Sequence, residues 1–289
     1  MDLTNERRVM RLAYQTNTWG GVVGHPVGVT SIKDLFYLAN GSTADAVRDV
    51  AAAGFSGVEL FDGNVVEYAE RQEALRQLLE EHGQELVGVY SGANFIFEEV
   101  LDQELWRIER AAEVAAELGA EYLVVGGGAQ TLEPPTDQEY QRLATGLERV
   151  VAIARRWDLT PTFHPHMSTI VETSDQLERT LANTSIGICP DTGHVLLAGD
   201  DPAELIRRHA KRLEYVHVKD VDLSTGRFVP LGDGALDLAG VMGVLQEVGY
   251  DGWVTVELDS WPDPLDGARR NRRALEPWLP APSSGSATV

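Results

Sequence analysis

Short runs of apolar residues alternate with stretches in which apolar positions recur every three or four residues, and the rhythm holds along almost the whole chain. The run RLAYQT (11–16) is followed by a long segment and then by STADAVRDVAAAG, a helical pattern with Ser42 or Thr43 as N-cap and Gly54 as its stop. GVELF (57–61) precedes a helix reaching about His82, and ELVGVY (85–90) precedes one over 102–118 closed by Gly119. EYLVVGG (121–127) leads into a helix over about 137–157, whose apolar series is Leu143, Leu147, Val150, Val151, Ile153 and Ala154. The second half repeats the pattern with LTPTF (159–163), SIGICP (185–190), RLEYVHVKD (212–220) and WVTVEL (253–258), each followed by a helical stretch, the last near 265–277.

That makes eight strand–helix units. Runs such as YLVV and GICP are apolar without a break, as parallel strands covered on both faces require. Eight units in about 270 residues predict an α/β fold of the (β/α)8 TIM-barrel type rather than an open doubly wound sheet. No GxGxxG turn follows the first strand, so dinucleotide binding has no support; the glycines at 126–128 predict a tight turn or a close backbone approach to a ligand. Two connections, 17–41 and 221–236, are unusually long and fall after strands 1 and 7, where lids and binding loops form. A single domain over 1–280 is expected, with 281–289 a disordered tail.

Composition narrows the function. The 289 residues are 43% hydrophobic, ample for a core, and the formal net charge is −21 with a pI near 4.6. Such a surface repels phosphate backbones and anionic membranes, so neither nucleic acid nor membrane is an expected partner. The one cysteine, Cys189, lies in the apolar run SIGIC and reads as a core residue. The N-terminus has no signal-peptide core and no run approaches the ~20 apolar residues of a spanning helix. A cytoplasmic protein is expected.

The candidate chemistry sits at the strand ends. PTFHPHMSTIVET (161–173) places His164 and His166 two apart at the end of strand 5, so in an extended chain both face one site. Asp191 and His194 follow strand 6, His217 and Lys219 lie on strand 7, Glu257 and Asp259 on strand 8, and Glu59 on strand 2. In this barrel, active sites form at the C-terminal strand ends. Carboxylates and imidazoles converging there suit one divalent cation, Mn²⁺, Co²⁺, Mg²⁺ or Zn²⁺. Trp19, Tyr90, Asn94 and Phe95 near the mouth are candidates for lining a sugar pocket. Plainer roles exist for several of these residues: Asp191 as the cap of the Thr192–Gly193 turn, Lys219 as partner of Asp220 or Asp191, Glu59 in a buried ion pair. His25 reads as a surface residue, and His82 and His209 as structural residues at helix ends.

The motifs AGFSGVEL, HPHMSTIVET, CPDTGHVLLAGDDP, YVHVKD and GYDGWVTVELD together resemble the xylose isomerase-like TIM-barrel superfamily of sugar isomerases and epimerases, nearest its inosose dehydratase group, over about residues 11–277. The resemblance implies one divalent metal held by one residue from each of strands 5 to 8: His164, Asp191, His217 and Glu257. The chain departs from the epimerases at strand 5, where they carry Glu-Pro and it carries His164-Pro165. Those epimerases resemble two-base machines, an arrangement that a histidine interrupts; one negative charge fewer also makes the metal a stronger Lewis acid. The implied chemistry is proton abstraction beside a carbonyl, with Glu257 and Glu59 as base candidates and Lys219 stabilising the developing charge. His194 and His166 would act as acid or orient a hydroxyl. An inosose-type dehydratase acting on a small keto-cyclitol or other polyol is the leading expectation. Alternatives are a ketose 3-epimerase or hydroxypyruvate isomerase-like enzyme, a non-catalytic sugar-binding barrel, and a subunit of a glycoside-cleaving lyase. A multi-metal apurinic-site endonuclease is opposed by the charge. A homo-oligomer remains open.

Overall fold

Eight of the apolar runs become parallel strands: β1 (Arg11–Gln15), β2 (Gly57–Phe61), β3 (Glu85–Ala93), β4 (Tyr122–Gly127), β5 (Thr160–Phe163), β6 (Gly187–Ile188), β7 (Val216–Val218) and β8 (Trp253–Val256). The structure is a computed structural model that describes residues 10–20, 31–33, 36–128 and 132–279. The strands pair in the order β6-β5-β4-β3-β2-β1-β8-β7. Single parallel bridges, Ile188 with Leu213 and Asp191 with His217, span the gap between β6 and β7. The bonds from Ile188 N to Arg212 O (2.7 Å) and His217 N to Pro190 O (3.0 Å) complete the closure. The expected (β/α)8 barrel is the observed fold.

Alternation along the strands sorts the barrel interior into layers. Ala13, Val87, Tyr122, Val124, Cys189, Tyr215 and Trp253 form a cluster of their own, so Cys189 is a core residue as expected. Two residues further along the strands stand Asp191, His217 and Thr255, and two further again Lys219 and Glu257, all buried. A polar layer therefore sits on an apolar floor. A second, larger apolar cluster joins the strands to the surrounding helices. Those helices begin where the sequence supplies caps: Ser42 Oγ accepts from Asp45 N, and Thr136–Glu139 and Thr173–Gln176 are reciprocal capping boxes. Gly54 ends the first helix at φ 92°.

The connections differ from expectation. The helix expected between 62 and 82 is two, Asp62–Val66 and Gln72–Glu81. An unforeseen helix, Thr192–Leu197, starts directly after Asp191. Within 17–41, Thr16–Thr18 forms a 3-10 turn and Phe36–Leu38 pairs antiparallel with Ser31–Lys33; residues 21–30, including His25, and 34–35 lie outside the described residues, as does the tail 281–289. The 221–236 connection carries an antiparallel hairpin, Asp220–Asp222 with Arg227–Val229. Asp220 organises it, its carboxylate accepting from the backbone N of Val221 (2.8 Å), Gly232 (2.9 Å), Gly234 (3.0 Å) and Leu236 (2.9 Å). No described helix is long and apolar enough to cross a membrane.

Candidate metal centre

Four side chains from four consecutive positions around the barrel meet above the apolar floor. His164 follows β5, Asp191 follows β6, His217 lies in β7 and Glu257 follows β8. One donor atom from each lies within 4.8 Å of all the others, and all four residues are buried. His164 Nε2 is 3.7 Å from Asp191 Oδ2 and 4.0 Å from Glu257 Oε2. His217 Nδ1 is 2.7 Å from Glu257 Oε2. His164 Nε2 and Asp191 Oδ2 lack a hydrogen-bond partner although they are shielded from solvent, while His217 Nδ1 and Glu257 Oε2 are turned toward each other. Leaving such groups unpaired costs about 1–3 kcal/mol each, more when charged, and orphans facing one point are what a cation would satisfy.

Each donor is aimed by its other end. Asp191 Oδ1 caps the helix that follows, accepting from Gly193 N (2.7 Å) and His194 N (3.0 Å), which leaves Oδ2 turned toward the cluster. The capping role and the ligand role are thus shared between two oxygens of one carboxylate. His217 Nε2 meets Glu59 Oε2 at 3.0 Å, so Nδ1 is the nitrogen presented to the cluster. Glu257 Oε1 accepts from Lys219 Nζ (2.8 Å), leaving Oε2 to face the cluster beside His217. Lys219 also reaches Asp259 Oδ1 at 2.5 Å and Asp191 Oδ2 at 3.7 Å. Phe228 covers its ammonium at 4.0 Å, and Gly193 lies against both, since a Cβ there would stand 3.0 Å from each side chain.

The electrostatics follow from this ring of charges. Burial favours the neutral forms of Asp191 and Lys219, yet His194 and Lys219 hold Asp191 well below the carboxylate range, and Asp259, Glu257 and Asp191 hold Lys219 well above the usual amine value. Burial likewise opposes the charge on Glu257, which Lys219 and His217 overcome. His217 is raised against its burial, by Cys189 and Glu59. Asp259, where burial outweighs Lys219, is pushed up to about 8. Burial and neighbouring positive groups lower His166 to about 4 and carry His194 well below its ordinary value.

Of the other residues singled out, His166 and His194 stack at 3.9 Å between ring centroids beside the cluster, and both nitrogens of buried His194 lack partners. His166 Nδ1 lies 2.6 Å from Met167 O. Tyr90 packs edge-on against His164 at 5.4 Å. Glu59 stands behind His217 rather than at the mouth. Lys219 does not pair with Asp220, whose oxygens are spent on the hairpin. Asn94 and Trp19 are held elsewhere: Asn94 is exposed and bonded to Glu104 (2.7 Å), and Trp19 donates to Asp49 (3.1 Å) and packs on Tyr14. Phe95 is buried against Gly146. His82 and His209 end helices. Sequence reasoning passed over Asn17, which bonds Glu257 and Asp259, and left Asp259 without a role. The i, i+2 spacing of Glu257 and Asp259 was a usable signal for the second.

A family model described as xylose isomerase-like TIM barrel matches residues 47–278. An inosose dehydratase from Geobacillus kaustophilus is 30% identical over 263 residues, covering 79% of this chain and 84% of that protein. The rhizopine catabolism protein MocC of Rhizobium meliloti is 29% identical, with 79% of each chain covered. Among solved structures, a probable 3-DHS dehydratase of petrobactin synthesis from Bacillus anthracis aligns with a TM-score of 0.74 at 15% identity over 92% of this chain and 98% of that one. An L-ribulose 3-epimerase aligns at 0.72 with 17% identity over 93% and 94%. The chain belongs to the xylose isomerase-like TIM-barrel family.

Proposed function

We propose that this protein is a divalent-metal-dependent lyase that dehydrates a keto-cyclitol of the inosose type, removing a proton beside the carbonyl and expelling the β-hydroxyl, protonated by a general acid, as water. The observation carrying the proposal is the convergence, in one buried site, of a donor atom from each of His164, Asp191, His217 and Glu257, with His164 Nε2 and Asp191 Oδ2 unpartnered. Its relatives named inosose dehydratase support the substrate class, a small polyol with a ketone. A cation held by these four side chains supplies Lewis acidity for negative charge developing on a substrate oxygen.

The remaining residues divide the work. Lys219, kept charged by its carboxylate partners, adds fixed positive charge beneath the reacting region without moving a proton. His194 is the group free to move one: it is buried beside the cluster and neither nitrogen is committed. His166 stacks on it and orients a hydroxyl. Glu59, committed to His217, fixes that imidazole instead of acting as base. Tyr90 and Phe61, in edge contact at 5.5 Å, give the mouth an apolar wall for ring C–H groups.

Dehydration is preferred to two-base epimerisation because strand 5 ends in His164, an imidazole where the epimerases have a carboxylate. Protein stripped with EDTA should lose turnover of keto-cyclitols and recover it on adding Mn²⁺, Co²⁺, Mg²⁺ or Zn²⁺. Turnover that survives thorough chelation would sink the metal mechanism. Exchange of an α-proton for deuterium without an enone product would favour an epimerase instead.

A further inference from the structure

The three-residue turn Thr16–Thr18 that leaves β1 is fastened at every position. Thr16 Oγ1 donates to the Glu59 carbonyl (3.2 Å), Thr18 Oγ1 donates to the Leu258 carbonyl, and Asn17 N donates to Gln15 Oε1 (2.7 Å). The Asn17 side chain is thereby delivered to the centre. Its Nδ2 donates to Glu257 Oε1 at 3.0 Å and to Asp259 Oδ1 at 3.1 Å. Lys219 Nζ reaches the same two oxygens, at 2.8 and 2.5 Å. Two carboxylates are therefore bridged by two donors, one a full charge and the other a neutral amide. The Asn17 Oδ1 has no partner, so the side chain's recorded bonds are the two it gives to carboxylates.

The consequence falls on Glu257. With Oε1 accepting from both Asn17 and Lys219, only Oε2 is left to face His164, Asp191 and His217. A carboxylate held in this way cannot turn to offer both oxygens, and its rotation costs two hydrogen bonds, one of them charge-assisted. The amide also bridges Glu257 and Asp259 without adding a second positive charge that would compete with a cation.

We propose that Asn17 is a positioning residue of the metal centre, acting through Glu257 to present a single oxygen to the cation. The proposal rests on the metal reading of the four-residue cluster.

The test is the affinity of chelator-stripped, full-length protein for Mn²⁺, measured by titration calorimetry. Asn17→Leu keeps the side-chain size and removes both donors; it should bind Mn²⁺ about 10- to 100-fold more weakly, with the wild-type circular dichroism spectrum. Asn17→Ala should behave alike and stands in if the leucine chain does not fold. Asn17→Gln, which keeps a primary amide, should recover part of the affinity, as a residue acting only by filling space would not require. An Asn17→Leu or Asn17→Ala protein that is folded and binds Mn²⁺ as tightly as wild type overturns the proposal while leaving the metal reading intact. Wild-type protein that takes up no divalent cation overturns the metal reading and this proposal with it.

Discussion

The barrel holds two buried clusters of charge, and they are satisfied in opposite ways. Near the ends of β2 and β3, Asp62 is fully enclosed and every lone-pair direction is used: Oδ1 accepts from Tyr37 N (2.7 Å) and Gly63 N (2.8 Å), Oδ2 from Ser91 Oγ (2.6 Å) and Arg107 (2.8 Å). Arg107 closes the group by donating to the Gly92 carbonyl and lying under Tyr37. At the ends of β5 to β8 the groups are as deeply buried, yet both nitrogens of His164 and of His194 and Oδ2 of Asp191 are left unpaired. Three carboxylates there, on Asp191, Glu257 and Asp259, face one ammonium, Lys219. Burial alone does not mark a functional site. Single buried orphans occur in both clusters, Arg107 Nε among them; several unmet groups converging on one point are what a ligand would satisfy.

The sharpest way to break the contrast is to remove a charge from each cluster. Asp191→Asn keeps an oxygen to cap the Thr192–Leu197 helix, since asparagine caps as well as aspartate, but takes a negative ligand from the centre. Mn²⁺ binding should be lost and kcat/KM should fall on the order of 10³-fold, several kcal/mol of transition-state stabilisation. In chelator, the same variant should melt slightly lower than wild type, because a carboxyl held below its ordinary range favours folding while it is charged. A much lower melting temperature in chelator together with intact Mn²⁺ affinity would place Asp191 among the structural pairs.

Arg107→Met makes the opposite change and should give the opposite result. It strands Asp62 without its countercharge, at a cost of about 3–5 kcal/mol, and should leave the Mn²⁺ affinity of the folded fraction within a few-fold of wild type. The loss should depend on pH. Burial outweighs Arg107 and already raises Asp62 to about 6 from 3.8. A folded-state value above the unfolded one means the folded chain binds the proton more tightly, so this residue favours folding on acidification from about pH 6 toward 4 and loses that contribution as pH rises. Without Arg107 the value moves higher still. The deficit of the variant in urea unfolding should therefore widen from pH 5 to pH 7; a deficit constant across that range would refute the account.

The sequence revealed the two clusters unequally. The strand–helix rhythm marked all eight strands and put His164, Asp191, His217 and Glu257 at strand ends, and the family resemblance singled those four out as one set. The aiming of those residues was hidden. Glu59 meets His217 across 158 positions of sequence, and Asn17 meets Glu257 across 240, pairings that only barrel closure creates. Asp62 and Arg107 were silent because an acid after a strand and an arginine inside an amphipathic helix read as solvated. Asn94 misled for the complementary reason: it follows a strand but turns outward to Glu104. The long connections also concealed their order, since Asp220 builds its hairpin by collecting backbone donors up to 16 residues ahead.

Tyr90 is where the two clusters touch, and it offers the smallest and most selective perturbation. Its ring lies 5.4 Å from His164 on one side and 6.3 Å from Tyr37 on the other. Gly126 in β4 makes room for it: a Cβ at that position would overlap the Tyr90 hydroxyl. The glycine expected to admit a ligand or a turn thus admits a side chain. Gly126→Ala should cost about 1–3 kcal/mol by overpacking, and Tyr90→Phe in the same chain should cancel much of that cost, a coupling that a double-mutant cycle reads directly. Because the displaced ring bears on His164, Gly126→Ala should also weaken Mn²⁺ binding by a few-fold, and the tyrosine change should restore it. If the alanine costs the same with and without the hydroxyl, the contact does not decide the packing. If stability alone responds and Mn²⁺ affinity does not, the clusters are mechanically independent, and Tyr90 is only a wall between them.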